Sequence, residues 1–186
     1  FGAFTKELSG FEAANPKITL PDFHNLTLRY RQFENTLLTG NAERIAASAT
    51  EIALLQKHKS IANDFEKIKQ DTDFKIRVTH HDTKISNVLF DSNNKGLCVI
   101  DLDTVMPGYF ISDVGDMMRT YLSPAGEEET DFSKVDVRED YFEAIVNGYL
   151  SEMQDELTDE EKDYFIYAGK FMIYMQALRF MADYLK

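Results

Sequence analysis

The sequence predicts a mainly α-helical domain that carries one small β-hairpin. Three observations carry that expectation. Apolar residues recur at helical spacing in several separate stretches. Two short β-prone runs, NVLFD at 87–91 and LCVIDL at 97–102, flank the turn-forming cluster SNNKG. With 186 residues, 44% hydrophobic and including 14 Phe and 9 Tyr, the chain can build one sizeable core.

Taken in order, residues 1–21 read as loop-like, punctuated by Gly2, Gly10, Pro16 and Pro21. They suit a linker entering the domain from something upstream. Over 22–38, Phe23, Leu26, Tyr30, Phe33 and Leu37 recur at helical spacing, and Thr39-Gly40-Asn41 closes that helix. A second helix is expected over 42–58, with Ile45, Ala49, Ile52 and Ala53 as its stripe. A third is expected over 61–69, with Ile61, Phe65 and Ile68. His24 and His58 lie on or beside these helices without acidic or cysteine partners at ligand spacing. They read as ordinary surface or core histidines.

Residues 75–79 (KIRVT) are short and β-prone, and 80–87 form a polar loop. Pro107-Gly108 marks a turn after the hairpin. Helical spacing resumes over 113–122 with Val114, Met117, Met118 and Tyr121. Residues 123–137, with Pro124, Gly126 and Glu127-Glu128-Glu129, read as an exposed acidic loop. Helices are expected over 137–149 and 158–186. The capping pattern Thr158-Asp159-Glu160-Glu161 opens the last of these. Phe165, Ala168, Met172, Met175 and Leu178 form its buried stripe. The expected organisation is thus a linker over 1–21 and a helical domain over 22–186, which carries functional loops at 79–87 and 100–103.

A formal net charge of −12 and a pI of about 4.7 exclude the basic footprint of a nucleic-acid binder. They also disfavour an anionic membrane surface as partner. No apolar run approaches the ~18 residues of a membrane span, and no signal-peptide pattern opens the chain. A cytoplasmic protein is expected. The single cysteine, Cys98, rules out an internal disulfide. Inside the run LCVI it reads as a buried small hydrophobe. The chain begins at a Phe and ends inside an amphipathic pattern, as a piece of a longer protein would.

The concentrated chemistry lies at 79–103, THHDTKISNVLFDSNNKGLCVIDLD. The hairpin brings its own ends together, and those ends carry carboxylates and an amide. Oxygen donors gathered this way suit a hard cation such as Mg²⁺. Phosphoryl transfer from a nucleotide uses such a set. Asp82 is the candidate base for an attacking hydroxyl. Asn87 and Asp101, with Asp103 beside them, are the candidate metal ligands. Lys84 can neutralise charge on the transferred group, and His80 can brace the loop by a hydrogen bond. Asp and Asn are also common in turns, and Asp91, Asn93 and Asn94 are turn residues here. The combination His-x-Asp-x-Lys-x-x-Asn, strand, turn, strand ending Ile-Asp is what lifts the set above chance. A metal-dependent hydrolase using His80, His81, Asp82 and Asp101 is the competing reading, although neither histidine has a helical i, i+4 partner.

HHDTKISN followed by VIDLD resembles the catalytic and metal-binding loops of the protein-kinase-like superfamily. The form is closer to its small-molecule branch, which includes aminoglycoside phosphotransferases and choline kinases. The longer stretch CVIDLDTVMPGYFISDVGDMMR is most similar to bacterial N-acetylhexosamine 1-kinases. The similarity runs from the PDFHN helix to the ALRFMADYL helix.

The resemblance implies the helical C-terminal lobe of a kinase-like fold that uses ATP and Mg²⁺ on a sugar. Asp82 would be the base on the sugar hydroxyl, and Asn87 and Asp101 would bind Mg²⁺. Asp113 or Asp116, in SDVGD, would be the structural acid behind the catalytic loop. Arg179 would face the sugar pocket, with Arg119 a second candidate. Two positions depart from the usual pattern: His81 stands where small-molecule kinases often have Gly, and Asp103 replaces the Gly of Asp-Phe-Gly. No glycine-rich loop, and no strand lysine paired with a helix glutamate, precedes the motifs. In the superfamily those belong to an N-terminal ATP-binding lobe, so the resemblance implies a C-terminal lobe that would be inactive alone. Choline, amino-alcohol or aminoglycoside substrates, and a non-catalytic pseudokinase-like binding domain, are the alternatives.

Overall fold

A computed structural model of the chain describes residues 1–12, 17–126 and 128–186. Pro16 and Glu127, named above as loop marker and part of the acidic run, lie outside the described residues. Helices α1 (Gly2–Glu7), α2 (Leu26–Thr39), α3 (Ala42–Ala47), α4 (Ala49–Lys57) and α5 (Ser60–Ile68) come first. Strands β1 (Arg77–Thr79), β2 (Val88–Phe90), β3 (Gly96–Val99) and β4 (Met106–Gly108) follow. Helices α6 (Phe110–Tyr121), α7 (Glu139–Met153), the short α8 (Asp159–Lys162) and α9 (Phe165–Leu185) follow, with single 3-10 turns at Ile85–Asn87, Leu102–Thr104 and Phe132–Lys134.

Helix α9 is the axis of the core. Phe165, Ala168, Phe171, Met172, Met175 and Leu178 are buried along it, the helical spacing expected from the sequence. Helix α6 packs on one side and α2 on another. The approach of α6 is close: a Cβ at Gly115 would lie 2.3 Å from the Ala168 carbonyl oxygen. Only glycine permits that distance, at a cost in helix propensity of about 1 kcal/mol. Two tyrosines tie α9 to the helices before it. Tyr174 donates to the Leu55 carbonyl at 2.7 Å and Tyr167 to the Ile61 carbonyl at 2.8 Å.

The β residues form two separate antiparallel pairs, β1 with β4 and β2 with β3. In the β2–β3 hairpin Val88 faces Val99 and Leu89 faces Cys98. The pairing extends past the strands, where the Ile100 N–H donates to the Asn87 carbonyl at 2.9 Å. Strand β1 is anchored by Arg77, whose guanidinium meets the fully buried Glu161 carboxylate at 2.6 and 2.8 Å. Glu161 belongs to the capping box of Thr158 expected from the sequence.

Several local expectations are corrected. The stretch 1–21 is not loop-like throughout. Residues 2–7 form α1, which packs on α7 with Gly2 and Thr5 buried. The helix expected over 42–58 is broken at Ser48, a buried residue with φ −102° and ψ 21°. After the break Ile52 and Leu55 face the core, while Ala49 and Ala53 are exposed. The helix over 158–186 is likewise two, α8 and α9. Pro107-Gly108 is not a turn but part of β4, where β1 offers it an antiparallel partner. Cys98 is exposed, not buried. Leu89, Phe90 and Leu97 around it are exposed as well, because among the described residues no layer covers the hairpin.

Candidate active site

The loop that follows β1 is held from beneath by the first two turns of α6. Asp113 is fully buried, and its carboxylate accepts the backbone N–H groups of His80 at 3.0 Å and His81 at 2.7 Å. Asp116, one turn later, accepts the Thr83 N–H at 2.8 Å. It also accepts Nε and Nη2 of Arg119 at 3.0 and 2.9 Å. Burial pushes the Asp116 carboxyl up from its ordinary range, and Arg119 opposes that shift. Thr83 adds a bond to the Asp113 carbonyl, and the Tyr121 hydroxyl donates to the Thr83 carbonyl. The pair suggested as structural acids therefore both meet this loop. It bends sharply enough to place His81 at φ 67°, a left-handed conformation uncommon outside glycine.

His80 is fully buried. Its Nε2 lies 3.0 Å from the Ile100 carbonyl, which can only accept, so that nitrogen carries the proton. Its Nδ1 then accepts the Asp82 N–H at 3.3 Å. Both nitrogens serve the scaffold, and the Phe1 and Phe4 rings pack edge-on at 5.2 and 5.7 Å. His80 thus links the loop to the far end of the hairpin. The hydrolase reading needed His80 and His81 as ligands. His81 is engaged as well: Nε2 lies 2.8 Å from Thr79 Oγ1, and Nδ1 lies 3.2 Å from His24 Nδ1. Among the described residues no group of three or more His, Cys, Asp or Glu side chains forms a metal-holding cluster.

Asp82 is the loop carboxylate that reaches the surface, with 22% of its side chain exposed. Its Oδ2 accepts Asn87 Nδ2 at 3.0 Å and its Oδ1 lies 3.1 Å from Lys84 Nζ. The same Asn87 nitrogen donates to the Asp82 carbonyl at 2.8 Å. Asn87 therefore keeps Oδ1 as an acceptor. Asp101, on the opposite end of the hairpin, is exposed in a left-handed turn at φ 62°. The Ile100–Asn87 backbone bond brings that turn beside Asn87. Asp103 is exposed on the following helical turn and makes no side-chain hydrogen bond among the described residues.

Asp82, Lys84, Arg119, Arg179 and Gln176 line one polar pocket of about 170 Å³. Three cationic side chains surround this pocket although the chain as a whole carries −12. A larger cavity of about 710 Å³ lies between α4, α5 and α9. None of the motif residues reaches it, so chemistry and not size selects the site.

Two further residues of this pocket were not foreseen. His24 was read as an ordinary histidine, but its ring lies between Phe23, stacked at 4.5 Å, and His81. Burial lowers the His24 pKa well below its usual value, and the His81 ring lowers it further. Burial lowers His81 too, although Asp113 opposes the shift. Gln176, on α9, lines the same pocket. Nothing local marks either residue, since the pocket they line is assembled from segments far apart in sequence.

A helical domain with a carboxylate-bearing loop braced by α6, and a short hairpin bringing an amide beside a second carboxylate, defines a kinase-like fold. Residues 1–154 match the phosphotransferase enzyme family (APH). The chain belongs to that family, whose members transfer phosphoryl groups to small molecules. The match includes the stretch 1–21 that reads as a linker. Among the described residues no helix is long and apolar enough to cross a membrane.

Proposed function

We propose that the protein is an ATP-dependent cytoplasmic kinase of a small-molecule hydroxyl, its acceptor a sugar of the N-acetylhexosamine type. The observation that carries the reading is the state of Asp82. It is the loop carboxylate open to the polar pocket, oriented by Asn87 and flanked by Lys84, with Arg119 and Arg179 across from it.

In this reading Asp82 accepts the proton of the attacking hydroxyl. Lys84 and the two arginines attract the anionic phosphoryl group and orient the acceptor. The donors at the hairpin end fit a hard cation, because Asn87 Oδ1 and the exposed Asp101 carboxylate are both oxygen groups without a side-chain partner among the described residues. They would hold Mg²⁺, with Asp103 nearby. A cation held there would supply positive charge to offset that of the nucleotide phosphates. His80, Asp113 and Asp116 position the loop. The residues that grip ATP are proposed to lie outside this sequence, which contains neither a glycine-rich loop nor a lysine–glutamate pair before the motif.

The test assays the full-length protein with Mg-ATP against a panel of sugars, together with Asp82→Asn. The wild type should phosphorylate an N-acetylhexosamine. The variant should lose about 10²–10⁴-fold in kcat with an unchanged melting temperature. Phosphorylation of choline, an amino alcohol or an aminoglycoside instead would replace the sugar. Undiminished biological activity of Asp82→Asn would favour a binding role without catalysis.

A further inference from the structure

The polar pocket does not end at its arginines. It opens into a cleft of about 550 Å³ between α6, α9 and residues 123–126 and 135–137. Lys84, Arg119, Gln176 and Phe180 line both spaces, so the two are continuous. The cleft differs in character. Ile85, Val135, Val137 and Ile173 line it, and each exposes more than half of its surface. Apolar side chains exposed together beside a charged pocket mark a surface built to be covered.

Gln176 stands where the two spaces meet. Its Oε1 is buried and has no hydrogen-bond partner among the described residues. Buried polar groups are nearly always paired, so an orphan in a pocket wall points to a donor that arrives with a ligand. The polar pocket, at about 170 Å³, has room for a sugar-sized head group. The adjoining cleft, at about 550 Å³, exceeds the needs of a single methyl.

We propose that the acceptor is an N-acyl amino sugar whose acyl chain extends beyond acetyl. Its reacting hydroxyl lies at Asp82, its amide N–H donates to Gln176, and its chain covers the apolar cleft. The proposal rests on the reading of Asp82 as the base of a sugar kinase. Burying the chain lowers KM, by about fourfold for each CH₂ removed from water. Gln176 sets specificity and takes no part in the proton transfer.

The experiment measures kcat and KM of the full-length protein, at saturating Mg-ATP, for N-acetyl-, N-butanoyl- and N-hexanoyl-hexosamine and the parent hexose. Wild type should show KM falling with chain length at nearly constant kcat. Val137→Asp, at an exposed position, should flatten that dependence while keeping kcat for the N-acetyl sugar within about twofold. Gln176→Leu should raise KM for every N-acyl sugar about tenfold at nearly constant kcat. Sugars turned over with a KM indifferent to chain length, or variants that keep the wild-type pattern, overturn the proposal and leave the kinase reading standing. If none of these sugars is phosphorylated, the sugar reading fails and this proposal with it.

Discussion

Asn87 is folded back onto Asp82, and a single Nδ2 group donates both to the carboxylate at 3.0 Å and to the backbone carbonyl at 2.8 Å. The amide therefore fixes the carboxylate from the side and keeps its own oxygen as an acceptor. Asn87→Leu keeps the size and removes both functions. It should lower kcat by about 10²-fold and raise the Mg²⁺ concentration needed for half-maximal rate. A loss of rate with an unchanged Mg²⁺ requirement would limit Asn87 to orienting Asp82.

Asp113 satisfies two buried N–H groups that no other acceptor reaches. Asp113→Ala leaves both unpaired, at about 1–3 kcal/mol each. The melting temperature should fall more than for Asp116→Ala, which frees one backbone N–H, that of Thr83, and releases the Arg119 guanidinium at the pocket wall. Thermal denaturation of the two variants side by side checks the order.

Glu161 accepts Arg77 twice, and also the N–H groups of Lys75 at 2.9 Å and Thr158 at 3.0 Å. Removing one member of such a buried pair costs about 3–5 kcal/mol. At about 2–4 °C per kcal/mol, Glu161→Ala should melt roughly 10 °C lower. The double variant Arg77→Met, Glu161→Leu should recover part of that loss, because it leaves no buried charge alone. A double variant no better than the single would show that the bonds to Lys75 and Thr158 dominate.

The half-buried His24 touches the buried His81, and lost solvation lowers both pKa values below 6.5. Their sign follows from proton linkage. The unfolded chain takes up these protons near its ordinary pKa, and the folded chain resists them. The stability they confer is therefore complete above about pH 6.5 and falls as the pH drops below it. Melting temperatures measured from pH 7.5 to 5 should decline, and His24→Leu should shallow the decline. A slope unchanged in His24→Leu would mean that His24 is not buried in its neutral form.

The candidate loop was legible because its chemistry is local: Asp82, Lys84 and Asn87 fall within six residues, and their contacts are with one another. The bracing acids were legible only as a pair through resemblance, and the geometry gives each its own backbone partners. His24 escaped notice because its partner lies 57 residues away, a distance no periodicity spans. The apolar stripe of α9 was plain from spacing. The break at Ser48 was not, since the pattern on either side is helical. Cys98 was misplaced for a related reason: an apolar run in a strand does not say whether a layer covers it.

Leu97 and Cys98 are neighbours on β3, so their side chains point to opposite faces of the hairpin. Both are exposed. The chain has no other cysteine. A thiol-directed fluorophore would therefore attach at a single known position, on the strand that leads to Asp101 and opposite Leu89 on the strand that leaves Asn87. Its modification rate becomes a gauge of occupancy: whatever settles on those strands slows the reaction, and whatever leaves restores it.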